Sequence, residues 1–182
     1  MEAALATIGL PPAISKIGCM ALNGIRRTVD GLAIILLLSM VGLIFTQVLG
    51  RYFFNYSISW SEESATFVQV WLVMLGAGIA MRNRQHAGID MLVNKCPVFL
   101  QRLIRSAGFL LAAWLLIVII IGSFSLITLG LIVKSAALQL PLAIPYAALP
   151  VGMAYFLLEL ALVTIPDIYD PEAAAARVGE TE

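Results

Sequence analysis

The sequence predicts an all-α integral membrane bundle of four transmembrane helices, preceded by an N-terminal interfacial helix. Three observations carry this. Hydrophobic residues make up 61% of the chain and charged residues 12%, against roughly 45–50% and 25% in a soluble domain. Four apolar stretches, residues 32–49, 65–81, 107–133 and 143–165, approach or exceed the ~20 helical residues that cross about 30 Å of hydrocarbon. The segment between the first two, from Gly50-Arg51-Tyr52-Phe53-Phe54 to Trp60-Ser61-Glu62-Glu63, gathers rings and charges where a chain leaves one span and prepares for the next.

Three regions follow: a cytoplasmic leader over 1–31, a transmembrane domain over 32–165 and an acidic tail over 166–182. In the leader, Ile14, Ile17, Ala21 and Ile25 recur at helical spacing, while Lys16, Asn23, Arg26 and Arg27 fall largely elsewhere. An apolar stripe beside cations suits a helix lying in the membrane interface. Gly18 and Gly24 oppose it, each costing a helix up to about 1 kcal/mol relative to Ala, and a disordered leader is the alternative. The first span begins too far in and runs too long for a cleavable signal core, so it is expected to stay as an anchor.

The second span opens with Ser59-Trp60-Ser61-Glu62, which fits a capping box. Glu62 and Glu63 also stand where the helix dipole favours anions. Within the span, Gly76 and Ala80 form a small-xxx-small pair that predicts close helix packing. The third span would run about 40 Å, longer than a simple crossing. Its outer end is expected to project beyond lipid or to bend at Gly122, Ser123 and Ser125. The fourth is punctuated by Pro145 and Pro150, with Pro141 before it, predicting an irregular start that protein or the interface must cover. The tail beyond residue 165 turns acidic and alanine-rich.

Lys and Arg near span ends set orientation. Lys16, Arg26 and Arg27 precede the first span, and Arg82, Arg84, Lys95, Arg102 and Arg105 lie between the second and third. The other two links hold only Arg51 and Lys134. Both termini are therefore expected in the cytoplasm, with the Trp60 and Lys134 links facing out.

Glu159 lies about two turns from the inner end of the fourth span, where an ionised carboxylate is expensive and commonly functional. The leading expectation is pairing with a cation on a neighbouring helix or subunit, with Arg82 or Arg84 as the nearby partners. Snorkelling to the interface and ion transport are the alternatives. Arg51 reads either as an interfacial anchor or as a bidentate partner of Glu62 or Glu63. Trp60, Tyr52 and Tyr56 read as aromatic-belt residues. His86, the only histidine, precedes Asp90 by four residues, but two groups do not complete a metal site. Asp90 serves equally well as an N-cap for residues 91–95. Cys19 and Cys96 form no CxxC pair and read as plain thiols.

The zero formal charge and the absence of a basic tract argue against nucleic-acid binding. No phosphate loop, nucleotide fingerprint or nucleophile elbow is present, and no nucleophile–base pair can be assembled. The chain reads as non-enzymatic, with no cofactor.

The run Arg51-Tyr52-Phe53-Phe54-Asn55, followed by Ser59-Trp60-Ser61-Glu62-Glu63, resembles the small membrane (Q-type) subunit of TRAP transporters, the tripartite ATP-independent periplasmic transporters. Trp71-Leu72-Val73 and Leu75-Gly76-Ala77 look like its second-helix pattern. His86 with Ile89-Asp90 looks like its His-x-x-x-Asp loop. Leu140-Pro141, Ile144-Pro145-Tyr146 and Leu149-Pro150-Val151-Gly152 look like its proline-punctuated start of helix four. The order and spacing of these motifs, over residues 32–162, carry the resemblance.

The resemblance implies a large elevator-type permease subunit bearing the substrate and sodium sites, and a periplasmic solute-binding protein. The small subunit would pack in the bilayer of the bacterial inner membrane as a static scaffold and help receive the binding protein. The solutes would be carboxylates or sialic-acid-like organic acids. In that role Arg51, Trp60, Glu62 and Glu63 would organise the outer face. Arg82, Arg84 and residues 97–105 would anchor the inner face, and Glu159 would pair within or between subunits. A four-helix membrane anchor for a haem- or quinone-linked redox complex is the alternative.

Overall fold

The structure, a computed structural model, describes residues 12–56, 59–83 and 97–169, with side chains from residue 18 onward except that of residue 98. Its elements are helices α1 (Pro12–Phe53), α2 (Ser59–Arg82), α3 (Val98–Ile132), α4 (Ala143–Tyr146) and α5 (Ala148–Tyr169). Four helices are long and apolar enough to cross a membrane, α4 and α5 counting together as the last.

The expected leader helix and first span form one continuous helix of 42 residues, about 63 Å long. No proline interrupts it after its first residue, and Gly18, Gly24 and Gly31 weaken a helix without ending it. It stops after Phe53 because Asn55 takes a left-handed conformation (φ 50°), which asparagine tolerates better than most residues. That turn lets Tyr56 N–H donate to the Gly50 carbonyl at 3.0 Å.

Helix α3 runs unbroken for 35 residues, about 52 Å. It continues through Gly122, Ser123 and Ser125, so the overlong third stretch does not break there. The buried Ser123 hydroxyl donates to the Ile119 carbonyl at 2.6 Å, which satisfies it without disturbing the helix. The helix also takes in residues 98–105 of the stretch expected to anchor the inner face.

The proline-rich start of the last crossing is irregular, as expected. α4 makes a single turn, and Ala147 separates it from α5. Pro150 falls in the first turn of α5, where its missing donor is not needed. Residues 133–142 form a small hairpin: Lys134 and Pro141 pair as an antiparallel bridge, Ser135 N–H donates to Leu140 O, and Leu142 N–H donates to Val133 O.

The long helices pack as a row: α1 on α2, α2 on α5, and α5 on α3, with α4 wedged among α2, α3 and α5. Glycines set the closest approaches. A Cβ at Gly78 would clash with the Tyr155 ring, and one at Gly152 would lie 2.9 Å from the Met74 backbone. Gly130 likewise meets the backbone of Ala143. Gly76 meets nothing of this chain within 4 Å, so close packing along α2 is made at Gly78 and not at the expected position. A row one helix thick buries little, and the buried apolar side chains are Ala65, Leu75, Leu116, Ala148, Tyr155 and Leu160.

Candidate functional site

Two polar clusters tie the row together, one toward the expected inner ends of the helices and one at the outer ends. At the inner cluster, Glu159 on α5 is fully buried. It is held by both arms of a guanidinium: Arg26 Nε donates to Oε1 at 2.7 Å, and Nη2 to Oε2 at 2.5 Å. Beside it, Arg82 at the end of α2 donates through Nη2 to both oxygens of Asp30, at 2.9 and 3.1 Å. Arg26 and Asp30 are four residues apart on α1 and so share one face. Four alternating charges thus join α1, α2 and α5. Breaking a buried pair from one side costs about 3–5 kcal/mol, because the remaining charge is left uncompensated. The Tyr155 hydroxyl, one turn before Glu159, is buried and without a hydrogen-bond partner among the described residues.

Farther along, α3 closes the end of α5. Arg105 donates to the Asp167 carbonyl at 3.0 Å and Arg102 to the Tyr169 carbonyl at 3.4 Å. The last carbonyls of a helix carry its negative dipole end, so guanidinium groups are well placed there.

At the outer cluster, Glu63 accepts three successive backbone N–H groups of the hairpin: Ala136 at 3.1 Å, Ala137 at 2.9 Å and Leu138 at 2.8 Å. Its neighbour Glu62 accepts the Gln47 amide at 2.6 Å. The buried Ser61 hydroxyl donates to Leu43 O at 2.8 Å, and the Trp71 indole N–H donates to Ile144 O at 3.2 Å. The start of α2 is therefore the hub that receives α1 on one side and the hairpin on the other.

The expected residues are placed as follows. Glu159 is paired between helices, but with Arg26 and not with Arg82. Arg82 instead holds Asp30, because α1 passes close beside the end of α2. Arg51 is exposed and makes no described ion pair; Glu62 and Glu63, its expected partners, are engaged by Gln47 and by the hairpin backbone. The capping box at Ser59 gives way to the same contacts, since Glu62 reaches α1 and not back along its own helix. Trp60 is about half exposed, among the exposed rings of Tyr52, Phe53, Phe54 and Tyr56. Arg84, His86, Asp90 and Cys96 lie outside the described residues. Cys19 is a free thiol.

Sequence reading missed Asp30, Gln47 and Tyr155, and took Arg26 for one cation among the leader's several. The available signal was the Arg26-x-x-x-Asp30 spacing, which puts opposite charges on one helical face at the edge of an apolar run.

Four membrane-length apolar helices, joined by ion pairs and carboxylate–backbone contacts between neighbours, define a multi-pass helical membrane protein. Residues 40–168 match the family model described as "Tripartite ATP-independent periplasmic transporters, DctQ component". The chain belongs to this family: it is a small permease component of a TRAP transporter, and not an enzyme. A putative TRAP transporter small permease protein of Haemophilus influenzae is 31% identical over 148 residues, covering 79% of this chain and 84% of that protein. The C4-dicarboxylate TRAP transporter small permease protein DctQ of Vibrio cholerae is 30% identical over 140 residues, covering 64% and 60%. The sialic acid TRAP transporter permease protein SiaT of Haemophilus influenzae is 37% identical over 62 residues, covering 34% of this chain and 10% of that longer protein.

Proposed function

We propose that this chain is the static scaffold subunit of a sodium-coupled TRAP transporter for organic acids. It packs beside a large elevator-type permease subunit in the bacterial inner membrane and helps receive a periplasmic solute-binding protein. The observation that carries this reading is the engagement of Glu159: the fully buried carboxylate is held at both oxygens by Arg26. A carboxylate so held stabilises helix packing, whereas a coupling-ion site needs oxygens that exchange partners. The thin row of helices, with large apolar side chains exposed along α1 and α3, supports a subunit that enlarges a membrane footprint and is itself covered by lipid and a partner. The match to part of the much longer SiaT supports a larger permease as that partner.

The outer cluster supports the docking role. Glu63 fixes the hairpin against α2, and Arg51 and Trp60 stand exposed beside it, so this end offers an ordered surface where the orientation rule places the periplasm. Both termini then lie in the cytoplasm, and Arg82, Arg102 and Arg105 face the inner side. The names of the relatives point to C4-dicarboxylates and sialic acid as the kind of solute, that is, small organic acids.

Affinity purification of the tagged chain in mild detergent tests the reading. The expected result is a stoichiometric, larger, many-spanning membrane protein, and sodium-gradient-driven uptake of an organic acid once that complex and its binding protein are reconstituted in vesicles. Recovery of the chain alone as a homo-oligomer that transports by itself would overturn it.

A further inference from the structure

We propose that the Arg26–Glu159 and Asp30–Arg82 pairs form a register lock that sets the depth and rotation of α1 against the rest of the row. Arg26 is then a positioning residue. The starting point is how little else holds α1. Its apolar span contains no buried residue, and its substantial packing is on α2 alone. That contact follows one narrow stripe, through Ala33, Leu36, Met40 and Leu43, while Ile34, Ile35, Leu38, Val41 and Phe45 are exposed. In hydrocarbon, lipid tails serve an apolar side chain as well as a leucine does, so an apolar stripe gives weak preference for one rotation or depth. Polar contacts decide.

At the outer end those contacts are one hydroxyl to a backbone carbonyl and one exposed amide–carboxylate contact. At the inner end they are two ion pairs, one of them on a fully buried carboxylate. A bidentate Arg–carboxylate contact fixes orientation as well as distance. Sliding α1 by one turn, about 5.4 Å, or rotating it by one residue, about 100°, would break both pairs together.

The pairing is also crossed in a way that requires α1. Arg82 lies within electrostatic reach of Glu159, and an Arg82–Glu159 pair would neutralise both charges between α2 and α5 with no help from the first helix. The observed arrangement instead gives each of those residues a partner on α1. Glu159 is also well inside the protein, since α5 continues about 12 Å beyond it to Asp167 and the Arg105 contact. The lock therefore sits among helices, where a mispositioned Arg26 would cost Glu159 its bidentate partner.

The test reads the position of α1 at its far end, about 31 Å from Arg26. In the full chain with Cys19→Ser and Cys96→Ser, the Gln47→Cys/Glu62→Cys pair replaces two side chains already in contact and removes an outer polar contact. Disulfide formation in native membranes under mild oxidation is then timed. Arg26→Ala or Glu159→Gln is expected to slow cross-linking at least five-fold, and the swap Arg26→Glu/Glu159→Arg to bring it back within two-fold. If a single variant fails to accumulate, the double Arg26→Gln/Glu159→Gln removes both charges and avoids an unpaired one. It too should cross-link at least five-fold more slowly. Cross-linking at the parental rate in the double variant, or a charge swap no better than the single variants, would overturn the lock. Because the readout needs neither transport nor a partner, its failure is distinguishable from failure of the scaffold reading.

Discussion

At Gly152 an added Cβ would meet the main chain of Met74 at 2.9 Å, and at Gly78 it would press into the Tyr155 ring. A ring can shift by tenths of an ångström, but a helix backbone cannot without moving its neighbours. Gly152→Ala is therefore expected to destabilise the chain by about 1–3 kcal/mol, within the range for overpacking. Gly76→Ala, with open space around it, should stay within about 0.5 kcal/mol. Thermal unfolding of the purified full-length chain in detergent checks the contrast, and an equal drop for both would mean that the helices do not meet as described. The sequence showed that α2 is rich in small residues, but spacing alone does not say which one faces a neighbour. Gly76 and Gly78 lie about 200° apart around the helix. Tyr155 offers a second residue-level prediction. Its buried hydroxyl stands beside the Glu159 carboxylate but makes no hydrogen bond of ordinary geometry, so Tyr155→Phe removes a desolvated polar atom without breaking such a bond. Its melting temperature should equal or slightly exceed that of the parent; a fall of several degrees would reveal a partner for the hydroxyl.

Among the elements, the 133–142 hairpin depends most on one side chain. Three consecutive N–H groups at its tip point at Glu63, and hydrogen bonds to a charged acceptor are stronger than those to a neutral one. Glu63→Ala is expected to speed amide hydrogen exchange at residues 136–138 by about ten-fold or more. Glu63→Gln, which keeps an acceptor but loses the charge, should fall between. Exchange in α2 and α5 should not change, and unchanged exchange at the hairpin tip would remove Glu63 from this role. The element's irregularity was legible in Pro141, Pro145 and Pro150, because missing donors and a fixed φ act locally. Glu63's function was not legible. Its partners are main-chain atoms more than seventy residues away, and backbone groups leave no mark in a pattern of side chains. The pairing of Glu159 was half legible for a related reason: burial of a carboxylate demands a cation, but the choice among Arg26, Arg82 and Arg84 depends on which helices neighbour one another.

On the scale of the whole molecule, charge positions are spaced to match a membrane. Asp30 to Arg51 on α1 spans about 31 Å, and Glu62 to Arg82 on α2 spans about 30 Å, both close to the thickness of the hydrocarbon core. A core of that thickness would have one boundary, the outer one in the proposed orientation, past Arg51, Glu62 and the Glu63-bound hairpin. The other boundary would run past Asp30 and Arg82, with α5 continuing beyond it to the Arg102 and Arg105 contacts. The four-helix architecture was legible in hydropathy because each crossing must be apolar over its length. The row-like arrangement was not, since lipid faces and helix faces draw on the same apolar residues. With four crossings both termini share a side, and the bias of Lys and Arg is the ground for proposing that this side is the cytoplasm. A single exposed residue at each boundary can check this in a Cys19→Ser/Cys96→Ser background. Ala137→Cys, at the hairpin tip, is expected to react with a membrane-impermeant maleimide in intact cells. Arg27→Cys, which is exposed and not one of the four paired charges, should react only after the membrane is opened. The reverse pattern would invert the molecule in the membrane and place the Glu63 hairpin in the cytoplasm. The docking surface for a periplasmic protein would then have to be sought at the opposite end, around Arg102 and Arg105.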